Sequence, residues 1–187
     1  MAKKGLPTRS GFILRRRPLL AAFAGALLSS SPPLAGPASA DPSRIKIAVF
    51  DFELDDSSAG AGIAGDPAAD LVQLDRVTSE ARRVISDSGR YGLVDVASAA
   101  GDGVKSRSLR QCNGCEAAIA LKLGADQSFV GVVTRISRTE YVVRFQIRDA
   151  RTGAAIIARQ SDLRIGADYS WNRGAAALIN SGLLDNR

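Results

Sequence analysis

The chain of 187 residues contains no histidine, only two cysteines and a single tryptophan. Each scarcity removes a class of chemistry. Without histidine, no Ser-His-Asp or Cys-His nucleophile can be assembled. A Cys-x-x-Cys pair cannot then become a c-type haem attachment point, which needs Cys-x-x-Cys-His. Structural zinc takes four cysteine or histidine ligands, and two are present. No metal, cofactor or catalytic residue is therefore expected.

Acidic residues are missing from positions 1–40, which carry Lys3, Lys4, Arg9 and the run Arg15-Arg16-Arg17. An apolar stretch from Leu19 to Leu28 follows, then a Ser/Pro/Gly-rich segment ending in Ala38-Ser39-Ala40. That order is the n-region, h-region and cleavage site of a secretory signal. The stretch is far shorter than the roughly 20 residues that span a bilayer. Residues 1–40 are thus expected to be a cleaved signal peptide, exported by the Sec or the Tat route. No cysteine precedes Cys112, so no lipid-anchoring site lies near the cleavage point. The expected product, residues 41–187, is periplasmic or secreted and carries no lipid or transmembrane anchor.

Export changes the electrostatics. The formal charge of +6 comes from 25 Lys+Arg against 19 Asp+Glu, and six of those basic residues lie in 1–40. The remainder is balanced at 19 against 19, which gives no ground for nucleic-acid binding. About 147 residues are left, enough for one domain that buries roughly 70 per cent of its unfolded surface.

Periodicity sets the order of elements. "IKIAVFDF" (45–52) predicts a buried strand. Asp66-Pro67 predicts a capped helix start, and Leu71, Leu74, Val77, Ala81, Val84 and Ile85 recur at helical spacing up to Gly89. "YGLVDV" (91–96) predicts a second strand, and 97–111 a polar loop. Asn113 and Glu116 stand three apart, as in a capping box, ahead of a helix that ends at Gly124. Three alternating segments follow, the last two joined by a tight turn at Ala150-Arg151-Thr152-Gly153. A last helix is expected over roughly 169–184. The order β-α-β-α-β-β-β-α implies a single α/β domain, with a mixed sheet, an antiparallel C-terminal meander and helices packed mainly on one face.

The phrases "IAVFDFE", "SGRYGLVDV", "CEAAIALKLGADQSFVGVV" and "VRFQIRDARTGAAI" resemble the TolB amino-terminal-like group of envelope domains. That group includes the curli secretion proteins and the penicillin-binding-protein activators of the outer-membrane lipoprotein type. The closest resemblance is to a domain-of-unknown-function family of small secreted bacterial proteins sharing the Cys-x-x-Cys. It implies the α/β fold over about residues 45–180 and work through protein partners, not a shared chemistry. The missing lipid-anchoring cysteine departs from the pore and activator branches.

Four stretches are candidate sites. Cys112 and Cys115 read as a local disulfide pinning the helix that follows, since export favours oxidation; a redox-active dithiol is the alternative. "GAGIAG" supplies Gly60, Gly62 and Gly65 at dinucleotide spacing, but about seven residues after the strand instead of at its end, so a loop is expected. "DFELDDSS" gathers Asp51, Glu53, Asp55 and Asp56. Alternation would place the first three on one face, either as a solvated strand end or as a small-ligand or cation site. Arg144 and Arg148 share a strand face with Arg159 on the hairpin partner, and form the candidate interaction surface. Pairing with Asp149, Asp162 and Glu140 is the alternative for these arginines. The expected function is a non-enzymatic envelope accessory domain that binds another envelope protein by that face or by the 54–66 loop. A thiol–disulfide redox protein comes second and a ligand-binding module third.

Overall fold

The alternating segments at 127–164 form the antiparallel half of a six-stranded mixed sheet. The computed structural model describes residues 44–58, 67–102, 108–137, 139–164 and 170–185. All of them lie in one unit of the chain, Ala40–Arg187. The strands are β1 (Ile45–Val49), β2 (Glu53–Asp56), β3 (Tyr91–Leu93), β4 (Gln127–Arg135), β5 (Glu140–Asp149) and β6 (Ala155–Arg164). Their spatial order is β3-β1-β4-β5-β6, with β2 also paired to β4. β1 runs parallel to β3 and β4, and β2 runs parallel to β4.

The helices are α1 (Pro67–Asp87), α2 (Cys115–Lys122) and α3 (Ser170–Ile179), the last continued by a π turn, Asn180–Leu184. α1 begins on Pro67, as the sequence predicts; the expected N-cap Asp66 lies outside the described residues. Its stripe of Val77, Ala81, Val84 and Ile85 is buried against the sheet, each large side chain contributing about 1.5–3 kcal/mol. Gly89, at φ 69°, ends it, in a conformation that a side chain would disfavour.

The expected first strand is split in two. Phe50 and Phe52 are both buried, yet in different cores, so the backbone leaves the pleat between them and resumes as β2. Room for this comes from Gly131 on β4, where a Cβ would collide with the ring of Phe52. Phe52 N–H is satisfied by Thr78 Oγ1 of α1 at 2.9 Å. That is why six strands appear where alternation counts five.

The sheet has two unequal covers. α1 and α3 pack on one face around Phe129, Val133, Val143, Phe145 and Ile147. The other face holds Ala48, Phe50, Val130 and Val132 under α2 and two 3-10 turns, Ala97–Asp102 and Leu109–Gln111. The two longer helices thus share one face, and the short α2 closes part of the second.

A bulge in β6 decides which face each of its residues takes. Arg148 pairs with Ala155, while Ile147 pairs with Ile157, so Ile156 is the extra residue. The turn before it is held by Asp149, whose Oδ1 accepts from Arg151 N–H (3.0 Å), Thr152 N–H (2.7 Å) and the Thr152 hydroxyl (2.9 Å). These bonds, led by those of Thr152, hold the Asp149 carboxyl below its ordinary pKa.

Candidate functional site

The second face is built around a carboxylate. Glu53, at the start of β2, points to the 3-10 turn Leu109–Gln111 and accepts from Leu109 N–H (2.5 Å), Arg110 N–H (3.3 Å), the Ser108 hydroxyl (2.8 Å) and Arg110 Nη1 (3.0 Å). One side chain therefore ties the approach to the cysteines onto the sheet. Arg110, fixed in this way, also lies 3.7 Å from Asp55, which is 3.6 Å from Arg144 on β5.

Beyond Arg110 the face opens into a groove of about 500 Å3 toward β6. Arg110, Arg144, Gln146 and Gln160 supply its polar groups and Val130, Val132 and Ala158 its apolar ones; Phe145 and Arg159, whose side chains the register turns to the other face, also border it. Arg144 and Arg148 share this face as expected, but Arg159 does not join them through its side chain. The register pairs Arg159 with Phe145, which belongs to the core under α1 and α3. Had β6 no bulge, Arg159 would stand opposite Arg144; the extra residue turns it to the other side. Its stem packs against the π turn, where a Cβ on Gly182 would sit 2.8 Å from Arg159 Cγ. The carboxylate contacts made by the two remaining arginines are Arg144–Asp55 and Arg148–Glu116.

β6 lies at one end of the strand order. Asp149 N–H donates to Ala154 O across the turn, so the odd-numbered residues of β5 bond toward β6 and the even-numbered ones toward β4. The backbone N–H and C=O groups of Ala158, Gln160 and Asp162 consequently face away from β5, next to the groove, on a side where no further strand pairs among the described residues. Arg159 Nη1 donates to one of them, Ala158 O, at 3.0 Å.

Cys112 and Cys115 are joined in a disulfide, and both are half-buried. The expected capping box does not form. The residue at the N-cap position is Gly114, with φ 106° and no side-chain cap, and Asn113 is itself left-handed at φ 49°. With both residues between the cysteines left-handed, Asn113 is off the capping geometry. Glu116 is buried instead. Its Oε1 is 2.9 Å from Arg148 Nε, and its Oε2 is 3.5 Å from Cys112 Sγ. The Arg148 N–H is not aimed at the carboxylate, so the contact is an ion pair and not an aligned hydrogen bond. Cys112, Cys115 and Glu116 place S, S and O atoms within 4.8 Å of one another; with the sulfurs bonded, this is a disulfide beside a carboxylate.

The acidic strand end is dispersed. Asp51 pairs with Arg82 of α1 (2.9 Å), and Glu53 and Asp55 face Arg110 on the second face. Asp56 turns to the first face, where it meets Arg135 at 2.8 Å. Hydrogen bonds from Ser58, and then Arg135, hold its carboxyl below the ordinary value. The break at 50–52 ends the alternation that would have aligned the first three. Gly60, Gly62 and Gly65 lie outside the described residues.

Sequence reading placed Glu53 in the acidic strand end, but gave no weight to its bonds with the 108–110 turn, to Arg110 or to the burial of Glu116. Ser108-Leu109-Arg110, one residue ahead of the Cys-x-x-Cys, was the available signal, a short turn whose N-terminal amides need an acceptor. Among the described residues, no helix is long and apolar enough to cross a membrane.

Residues 45–183 match the family DUF3280, described as "Protein of unknown function (DUF2380)". No curated protein matches the chain by sequence. Similar solved structures include the LpoB C-terminal domain from Salmonella enterica, with 14% identity, TM-score 0.48, and 68% of this chain and 87% of that one covered. Lipoprotein GNA1162 from Neisseria meningitidis gives 14%, 0.47, 73% and 94%. The PelC dodecamer from Paraburkholderia phytofirmans gives 16%, 0.44, 75% and 86%. These are likenesses of fold, and the expected TolB-like or curli-like grouping is finer than they reach.

Proposed function

The chain belongs to the DUF3280 family, and for it we propose a non-enzymatic accessory role in the bacterial cell envelope, exercised by binding another envelope protein. The observation that carries this reading is the open edge of β6 beside the Arg110–Arg144 groove. Outward N–H and C=O groups on an edge strand are a template for pairing with an extended segment of another chain. The arginines and glutamines of the groove wall suit the carbonyls and carboxylates of such a segment. They are binding groups, not a nucleophile and its base. One feature of the sequence and one of the structure support the compartment: the signal-like pattern of residues 1–40 and the disulfide that joins the two cysteines. The resemblance to the TolB amino-terminal-like group, whose members work through partners, agrees with it.

The test is capture from an envelope extract by the immobilised protein, compared with its Gln160→Pro variant. Gln160 N–H faces the open side, so proline there removes no ladder bond and is tolerated on an edge strand, while it blocks strand addition. The expected result is a partner held by the parent chain and reduced at least tenfold on the variant, with nearly unchanged melting temperatures. Equal capture by both would remove β6 as the docking edge.

A further inference from the structure

We propose that the Cys112–Cys115 disulfide is exchange-active, an oxidant of dithiol peptides, and that Glu116 handles the proton of the Cys112 thiol. The site is separate from the β6 edge. A plain staple needs no buried carboxylate beside it, and burying one is costly unless it is paired and hydrogen-bonded. Here Arg148 supplies the counter-charge through Glu116 Oε1. The other oxygen, Oε2, faces the Cys112 sulfur at 3.5 Å, and among the described residues it has no other hydrogen-bonding neighbour. A disulfide sulfur has no proton to give, so in the oxidised protein Oε2 meets a non-donor. After reduction, the Cys112 S–H stands within reach of two acceptors, Glu116 Oε2 and, at 3.2 Å, the Leu109 carbonyl, and a bond to Oε2 satisfies the carboxylate.

The carboxylate therefore favours the reduced state over the oxidised one, which makes a disulfide more oxidising. The second cysteine adds to this. Cys115 opens the eight-residue α2, where backbone amides stabilise a thiolate and make it a good leaving group. Both cysteines are half-buried, not sealed.

In the reaction, a thiolate of the dithiol peptide attacks Cys112 Sγ. The Cys112–Cys115 bond breaks, and Cys115 leaves as a thiolate at the start of α2. The second peptide thiolate then attacks the peptide sulfur of the mixed disulfide, releasing Cys112 as a thiolate, which takes up, through water on the Glu116 side, a proton that the peptide thiols gave up on ionising. Two electrons pass from the peptide to the protein; the peptide becomes a disulfide and the protein a dithiol. In reverse, Glu116 removes the Cys112 proton as that sulfur attacks a disulfide such as oxidised glutathione. Arg148 from β5 is the charged group that faces Glu116, with Cys112 and Cys115 on its own side.

The experiment follows re-oxidation of the reduced protein by oxidised glutathione between pH 5 and 9, with thiols trapped by alkylation and counted by mass. An unassisted thiol, of pKa about 8.5, forms roughly tenfold less thiolate per pH unit below that value. The parent chain is expected to re-oxidise at least tenfold faster than Glu116→Gln at pH 6, with the gap closing toward pH 9. Glu116→Asp should fall between them. Mixing the oxidised protein with a reduced dithiol peptide should convert one peptide per disulfide lost. Superimposable pH profiles for all three proteins, or a disulfide that survives the peptide intact, would overturn the proposal. Circular dichroism of each reduced form separates loss of the proton acceptor from loss of fold.

Discussion

Gly131 is the residue on which the split of the first strand depends. Alanine there would press a methyl group into the Phe52 ring, a clash with a packed aromatic that overpacked cores resolve at a cost of about 1–3 kcal/mol. Gly131→Ala is therefore expected to lower stability by about 2 kcal/mol in urea unfolding, and Phe52→Leu added to it should recover part of the loss. The sequence shows both residues without showing that they meet. Their contact depends on Phe52 changing faces, and "IKIAVFDF" reads as one uninterrupted strand because both of its phenylalanines are apolar. Arg159 was illegible for a related reason. Its side of the sheet depends on Ile156, an apolar residue indistinguishable in pattern from its neighbour Ile157.

At the scale of elements, helix positions and the hairpin were legible, because α1 carries its stripe and its Gly89 stop in plain view. What joins the elements was not. Arg135 is 4% exposed and lies between Asp56 of β2 and Asp70 of α1, with the Tyr141 ring 5.8 Å from its guanidinium carbon. Its place in the sequence, beside Arg138 and ahead of Arg144, suggests one more surface arginine. Asp70 first, with Tyr141 and Asp56, holds its guanidinium more firmly protonated than usual, against the opposing effect of burial. Removing one partner of a buried ion pair leaves the others uncompensated. Arg135→Ala should cost on the order of 3 kcal/mol, and thermal melts of the variant should show it. Arg83→Ala on the exposed side of α1, which breaks the pairs with Glu80 and Asp87, should change the melting temperature little.

For the whole molecule, the missing histidine becomes a prediction about pH. No side chain has an ordinary pKa between the carboxylates and the tyrosines once both cysteines are bonded. Among the described residues, the carboxyls with a lowered pKa are Asp56, Glu80 and Asp149. A group with a lowered folded pKa contributes stability above its unfolded value, about 4, and loses it as pH falls through the folded value. The melting temperature is expected to stay level from about pH 5.5 to 8 and to fall below about pH 4. A step near pH 6.5 in a circular dichroism melt series would contradict this. The balanced charge outside residues 1–40 points the same way, since neither sign accumulates near neutrality.

Ile156 has a consequence for comparing this chain with its relatives. It behaves like an inserted letter in a reading frame: downstream of it, inward and outward positions exchange meaning. An alignment that slips by a single place at this bulge would set solvent-facing residues of one chain against core residues of another, from 157 to 164. It would then report drift where the architecture is constant. Family alignments of this strand should be anchored on Leu163, which is buried opposite Tyr141, and not on the turn that precedes it.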